Sequence, residues 1–341
     1  MNFFAAKHHQ CSLCDRGFTR KYDLTRHEQN VHQEEESEQE ECDSEVYDMD
    51  LDDSQVERLL RAIYQPQNVY CIHIDKKSPP QFHKAIRTLS QCFDNVFLAS
   101  KLEDVRWGSY SALLADLHCL EDLLNHPVQW KYLLNLCGMD FPLKTNFEMV
   151  QQLKAYNNHN CIEGYKNNDT AYERSRFKET KSIAPHNITI YAGDTYIAAT
   201  REFVNFTIYD RVAKEYLYWL KDVFVSDEYY TPSLNRLPYA PGGHVKPSYD
   251  CNVRYRKWSF NTKFVDRPKC IGKYRHELCC FGTGYLKYFY RTPQLFVNKL
   301  DYEFDPVAIQ CMEELLDYRT YHSEDFKNWQ NFPITHHYWQ K

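Results

Sequence analysis

At 341 residues, 43% of them hydrophobic, the chain is too long and too apolar for a disordered polypeptide; it has room for about two domains, and its 27 Tyr and 20 Phe can fill a large core. Its formal charge of −6 averages unlike parts: twelve acids crowd Glu34 to Asp53, residues 1–32 carry five Lys and Arg against three acids, and the rest is mildly basic, which suits an anionic ligand or simply a solvated surface. No run nears the ~20 apolar residues of a membrane span, and the opening Met1-Asn-Phe-Phe-Ala-Ala-Lys-His has too short an apolar run for a secretory signal.

Residues 1–32 read as a Cys2His2 zinc finger. Cys11-x2-Cys14-x12-His27-x4-His32 has the ligand spacing of a tetrahedral zinc site, and Phe18 and Leu24 stand where a small ββα core needs apolar side chains. Arg20, Asp23 and Arg26 then take the base-reading helix positions and imply a G-C-G preference. A single finger spans only ~3 bp, so DNA binding is expected to be weak. The alternative is a finger that folds on zinc and contacts nothing specific. Residues 33–53 form an acidic linker, too charged to bury a core and expected to be disordered. Tyr47, Met49 and Leu51 alternate there with Asp48, Asp50 and Asp52, a pattern shared by a weak edge strand and by a solvated linker, the latter preferred.

From residue 54 to 341 the pattern is α/β. Val56, Leu59, Leu60 and Ile63 recur at helical spacing, and Asn68–Asp75 is a short β-branched and aromatic run suited to a buried parallel strand. Pro79-Pro80 opens the next helix, and Asn95–Ser100 is a second strand. Ser111–Leu124 reads as a helix with Leu113, Leu114, Leu117, Leu120 and Leu124 on its apolar side. Trp130–Leu136 is a third strand, with Gly138 and Pro142 breaking the chain after it. This alternation predicts a mainly parallel sheet covered on both faces, with ligands beyond the strands' carboxyl ends. Asp75 and Trp107 are expected just after strands. The C-terminal third reads as strand-poor up to an amphipathic helix over Val307–Tyr318.

The 13 cysteines and three glycosylation sequons, at Asn168, Asn187 and Asn205, point to an oxidising, luminal compartment for the body. The finger points the other way.

Several ordered blocks carry a resemblance. Leu59-Leu-Arg-Ala-Ile-Tyr-Gln-Pro-Gln-Asn-Val-Tyr-Cys-Ile-His-Ile-Asp75 is followed by Asn95-Val-Phe-Leu-Ala-Ser-Lys-Leu-Glu103 and Val105-Arg-Trp-Gly-Ser109. Then come Trp130-Lys-Tyr-Leu-Leu-Asn-Leu-Cys-Gly-Met-Asp-Phe-Pro-Leu-Lys-Thr-Asn146 and Ser226-Asp-Glu-Tyr-Tyr-Thr-Pro-Ser-Leu-Asn-Arg-Leu-Pro238. Cys279-Cys-Phe-Gly-Thr-Gly284, Leu295-Phe-Val-Asn-Lys-Leu-Asp301 and Ala308-Ile-Gln-Cys311 close the series. Over residues 54–318 the chain resembles the core 2 (branching) β-1,6-N-acetylglucosaminyltransferases.

The resemblance implies a GT-A-type α/β domain that transfers N-acetylglucosamine, with inversion, from UDP-GlcNAc to the 6-hydroxyl of a galactose or GalNAc of O-glycans. Glu228 matches the general base. The donor positions are Asp75, Trp107 and Lys299; an expected Arg is His276, with Arg275 beside it. The acceptor positions are Glu163, Arg174 and Trp258, with Phe260 replacing a Tyr and Ala171 replacing a Lys. The family stabilises departing UDP with these cations instead of a metal; Asp48-Met-Asp50 and Asp50-Leu-Asp52 lie only in the acidic run. Cys71 with Cys119 and Cys270 with Cys279 match family disulfides, and Cys137 matches a free cysteine. Cys92 and Cys311 match half-cystines whose partners lie upstream, and Cys161, Cys251 and Cys280 have no assignment.

The family's tail, membrane anchor, stem and first strand are replaced here by the finger and acidic run. The expectation is a donor pocket short of one wall and weakened activity, in a Golgi membrane or lumen. A nuclear zinc-finger protein with an inactive body, or a chimeric gene product, is the competing expectation.

Overall fold

In a computed structural model the chain divides into two compact units, 1–49 and 50–341. The structure describes residues 53–166, 176–177, 182–244, 251, 253–259 and 270–322, with the backbone of 9–10 and 17–18. In the first unit β1 (His9–Gln10) pairs antiparallel with β2 (Gly17–Phe18), His9 opposite Phe18. In sequence this pair brackets Cys11 and Cys14. The four expected zinc ligands and the acidic segment with its Asp-x-Asp pairs lie outside the described residues.

The second unit starts with α1 (Asp53–Ile63), which buries Leu59 and Leu60. Gln55, also buried, donates to the carbonyls of Gly138 (3.0 Å) and Leu300 (2.7 Å), and Arg58 pairs with Glu313 at 2.7 Å. The first helix is thus stitched to the far end of the sequence. β3 (Tyr70–Ile72) and β4 (Val96–Leu98) pair in parallel around α2 (Pro80–Gln91). Pro80 opens that helix, where its missing N–H has no partner to lose. α3 (Tyr110–Asn125) is capped by the Ser109 hydroxyl and buries Leu113, Leu117, Leu120, Leu123 and Leu124, while Leu114 is half-buried.

β5 (Tyr132–Leu134) is followed by β6 (Asp140–Pro142), so the expected break at Pro142 is instead the end of a strand. Pro is tolerated there because β6 is an edge strand. Thr145 and Glu148 form a reciprocal capping box at the start of α4 (Asn146–Ala155). β7 (Tyr165–Lys166) pairs with β8 (Tyr191–Ala192), and β9 (Ala198–Thr200) pairs antiparallel with β5. α5 (Arg201–Tyr209), α6 (Arg211–Trp219) and α7 (Asp227–Leu234) follow. α5 and α6 are capped by Thr200 and Asp210.

The remaining third is richer in strands than its sequence suggests. β10 (Arg254–Tyr255), β11 (Lys273–Arg275), β12 (Leu278–Cys280) and β13 (Phe296–Asn298) precede α9 (Pro306–Tyr321), with the single turn α8 (Leu286–Phe289) between β12 and β13. β13 lies between parallel β10 and antiparallel β6. The sheet is not mainly parallel. Among the described residues of this unit, two pairings are parallel and four antiparallel. The strands are too short for hydrophobic periodicity to mark them, and close neighbours fold directly back. β11 returns as β12 through His276 (φ 48°) and Glu277 (φ 62°), the left-handed pair that a two-residue hairpin turn needs.

The largest core joins α3, α5, α6 and α7 to β5 and β9; a second packs β6, β12 and β13 against α9. Cys71–Cys119 and Cys270–Cys279 are bridged as expected, and Cys161–Cys251 forms a third disulfide that the sequence left unassigned. Cys92, Cys137, Cys280 and Cys311 are unbridged. Among the described residues no helix is long and apolar enough to cross a membrane.

Candidate active site

The chain enters α7 under backbone strain. Val225 has φ 51°, a left-handed conformation that a β-branched residue rarely takes. It is held there from both sides: the Val225 N–H donates to Gly108 O (2.7 Å) and the Phe224 N–H to Arg176 O (3.0 Å). Gly108 has φ +72°, and a Cβ on it would lie 2.3 Å from the Phe224 ring. Segments 107–108, 176 and 224–225 are thereby locked together, and the helix that follows presents Glu228 in its first turn.

Pro232 lies within the same helix, four residues after Glu228. Lacking an N–H, it cannot accept the usual role of donor to the Glu228 carbonyl. Gly193 N–H takes that role at 2.9 Å. A Cβ on Gly193 would meet Glu163 O at 2.1 Å and Pro232 Cγ at 3.0 Å, so only glycine lets the Glu163 backbone and the Pro232 ring come this close.

Around Glu228 lies a network of alternating charge. Arg176 Nη1 donates to Glu228 Oε2 at 2.7 Å and to Tyr229 Oη at 3.3 Å. Arg256 spans Asp194 (2.8 Å) and Glu163 (3.3 Å). Burial pushes the Glu228 carboxyl above the usual carboxylate range, while Arg176 and, more weakly, Arg256 pull it back. Burial opposes the charge on Arg256, but Asp194, Glu163 and Glu228 outweigh it and raise its pKa. Burial, with Glu228 and Glu163 nearby, pushes Tyr165 up to about 12. Behind the network, burial and Glu228 push Asp227 up to about 6, and burial and Asp227 push Asp116 of α3 up to about 7.

Asp75 lies on the loop after β3, as expected. Its Oδ1 accepts from Lys77 N (3.1 Å) and Val105 N (3.3 Å), which draws that loop to the 103–107 segment. Trp107 does not follow a strand directly; it precedes α3, 84% exposed, with its ring edge-on to Phe224 at 5.2 Å. A flat aromatic this open, at the edge of the locked segments, is available to a planar ligand.

The second cationic group sits on the β11–β12 hairpin and the end of β13. Arg275 Nη1 lies 3.4 Å, and Lys273 Nζ 3.6 Å, from the buried Asp301 carboxylate. Lys299 is buried, and its carbonyl accepts from Phe281 N at 2.9 Å. Burial and Asp301 raise the pKa of the Cys280 thiol against the pull of Lys299, Lys273 and Arg275, so the three cations share one neighbourhood. Among the described residues Lys299, Lys273 and Arg275 gather around the Asp301 carboxylate, a cluster of cations suited to an anion. Trp258 joins the two groups: it bridges to Leu278 of the hairpin and lies two residues from Arg256.

The structure therefore assembles Glu228 with Glu163, and Arg275 with Lys299. Arg174 and Phe260 lie outside the described residues. Arg176, Arg256, Asp194 and Lys273 were missed from sequence, each a single charge in an aperiodic segment. The Glu-to-Pro spacing of four in 228–232 was the one readable sign that the carbonyl before it must bond elsewhere.

Residues 51–288 match the model of a family described as Core-2/I-Branching enzyme. A human N-acetyllactosaminide β-1,6-N-acetylglucosaminyl-transferase is 42% identical over 279 residues, 77% of this chain and 69% of the relative. A β-1,3-galactosyl-O-glycosyl-glycoprotein β-1,6-N-acetylglucosaminyltransferase 4 of Danio rerio is 39% identical over 289 residues, 78% of this chain and 67% of its own. The human enzyme named as number 3 of that series is 38% identical over 285 residues, 77% and 65% of the two chains.

Proposed function

Since the chain belongs to the Core-2/I-branching enzyme family, we propose that it is a β-1,6-N-acetylglucosaminyltransferase, using UDP-GlcNAc and the 6-hydroxyl of a galactose or GalNAc in a glycan. The observation that carries the reading is Glu228: a half-buried carboxylate in the first turn of α7, bonded to the Arg176 guanidinium.

Glu228 takes the proton of the acceptor hydroxyl as its oxygen attacks the anomeric carbon. The bond from that carbon to the diphosphate oxygen breaks, and the electron pair leaves with UDP. Attack from the face opposite UDP inverts the configuration. Lys299 with Arg275, supported by Lys273, meets the charge that develops on the diphosphate, and fixed cations act there without reorganising. Asp301 offsets part of that charge. Glu163 and Trp258, with Arg174 and Phe260, hold the acceptor sugar, the carboxylate by its hydroxyls and the indole by a ring face. Asp75 and Trp107 border the nucleotide. The reaction is read as metal-independent and placed in the Golgi lumen. The first unit is read as a finger holding one structural zinc through Cys11, Cys14, His27 and His32, apart from the chemistry.

The test incubates the full-length chain with UDP-GlcNAc and either a β-1,3-galactosyl-GalNAc or an N-acetyllactosamine acceptor, and determines the product linkage by NMR. A new β-1,6 linkage is expected, at an equal rate with EDTA, which strips the finger's zinc. Glu228→Gln keeps the size and loses the basicity, so transfer falls about 10²–10⁴-fold with UDP binding kept. Undiminished turnover in that variant removes Glu228 from the mechanism, and loss of transfer on chelation, restored by manganese, overturns the metal-free reading.

A further inference from the structure

We propose that Arg176 is a positioning residue for this chemistry: its guanidinium holds Oε2 of Glu228 and leaves Oε1 to the acceptor hydroxyl. The inference rests on the function proposed above and adds to it a residue that neither motif nor spacing indicated.

The geometry is that of a fixed strut. The Arg176 side chain is 12% exposed and its Nη1 lies 2.7 Å from Oε2, a charge-assisted bond. The same nitrogen reaches Tyr229 Oη at 3.3 Å, and the guanidinium carbon lies 5.7 Å from the Tyr229 ring centroid. Its backbone is tied as firmly. The Arg176 carbonyl accepts from Phe224 N, and the next residue, Phe177, packs edge-on to Tyr229 at 5.1 Å. Arg176 therefore grips both the base and the strained segment that delivers it. Among the described side chains none hydrogen-bonds Oε1.

The base needs such a partner because its surroundings disfavour charge. Burial raises its pKa, and Asp194 adds to the rise. Asp227 beside it, itself pushed up by burial and by Glu228, adds a second carboxyl that repels the first. Against these stand Arg176 in direct contact and Arg256 at longer range, the latter already shared with Asp194 and Glu163. Among the described residues no other cation contacts Glu228, so removing Arg176 leaves burial and the acids opposed only by the more distant Arg256, and the Glu228 pKa rises. A base that protonates at higher pH loses its acid-side activity first. The planar guanidinium also fixes direction, which a flexible ammonium does less well.

The experiment compares full-length wild type, Arg176→Gln and Arg176→Lys. In Arg176→Gln, kcat is expected to fall about 10–100-fold, the scale of a sub-ångström to ~1 Å misplacement, while KM for UDP-GlcNAc stays within about twofold. The acid limb of kcat/KM against pH moves to higher pH, and Arg176→Lys returns that limb toward wild type with only part of kcat. An unmoved acid limb in a folded Arg176→Gln, or a Lys variant no better than Gln, overturns the proposal. If Arg176→Gln fails to fold, the Lys variant decides: a wild-type limb with lowered kcat supports the strut, and full wild-type kcat overturns it. If the wild type transfers no sugar, the parent reading fails separately. The strut is then read by carbon-13 NMR titration of the Glu228 carboxyl, assigned through Glu228→Gln: an upward shift in Arg176→Gln supports it, and an unmoved titration overturns it.

Discussion

Gly193 acts on Glu228 without touching any side chain of the site. Its N–H replaces the bond that Pro232 cannot make to the Glu228 carbonyl, and its missing Cβ lets the Glu163 backbone close in. One residue thus sets the spacing between the proposed base and an acceptor carboxylate. Gly193→Ala is expected to drive these backbones apart, because the added carbon would lie 2.1 Å from a carbonyl oxygen and one of the two must move. A shift of ~1 Å costs about 100-fold in rate. Steady-state kinetics, with thermal melting as the check on folding, should show kcat falling by that order; an Ala variant with wild-type kcat would mean the latch does not hold the base. At this scale the sequence was partly legible. Glu228 and Lys299 stand in blocks long enough to resemble a family. Gly193 and Arg176 stand in loops, where neither period nor spacing distinguishes a strut from a solvated charge or a turn.

Between elements, the less obvious feature is the pair of acids facing each other from α3 and α7. Asp116 is pushed up to about 7, first by burial and then by Asp227, and Asp227 up to about 6, first by burial and then by Glu228. Both carboxyls have a pKa near 3.8 when the chain unfolds. Between that value and 6 to 7 the folded protein holds protons that the unfolded chain has released, so stability falls as pH rises through this window. The contribution is fully present below the unfolded pKa and lost above the folded one. Asp116→Asn is neutral throughout and keeps an oxygen for the Asn135 amide, which lies 3.5 Å from Asp116 Oδ2. Its melting temperature should match wild type near about pH 4 and exceed it near about pH 7.5. Parallel melting curves across that range would show that the fold does not hold the Asp116 carboxyl protonated. Of the two helices carrying this pair, α3 was readable, because its 16 residues display a 3.6-residue period; α7 was not, since eight residues interrupted by Pro232 display none. β10 to β13 were not readable, since two or three residues cannot display a period of two.

At the scale of the whole molecule, the disulfides of the second unit and the zinc finger proposed for the first have opposite redox needs. Cys71–Cys119, Cys161–Cys251 and Cys270–Cys279 form and persist under oxidising conditions, whereas a finger at Cys11 and Cys14 needs thiolates. The third bridge, which closes a separation of 90 residues from Cys161 to Cys251, strengthens the case for an oxidising compartment over the sequence alone. A lumen of that kind also carries the machinery that glycosylates Asn-x-Thr. Asn187 is exposed in a short 3-10 turn with φ 55°, and Thr189 is exposed beside it. Neither has to leave a packed position to bear a glycan. The expectation is that the chain expressed whole in animal cells carries an N-glycan at Asn187. Endoglycosidase treatment should then increase its electrophoretic mobility, and Asn187→Gln should remove that one increment while leaving any other. A chain that migrates identically with and without enzyme, and whose Asn187 peptide is unmodified by mass spectrometry, would place this body outside the lumen, where its disulfides would have to survive a reducing pool of thiols and where glycan acceptors are absent.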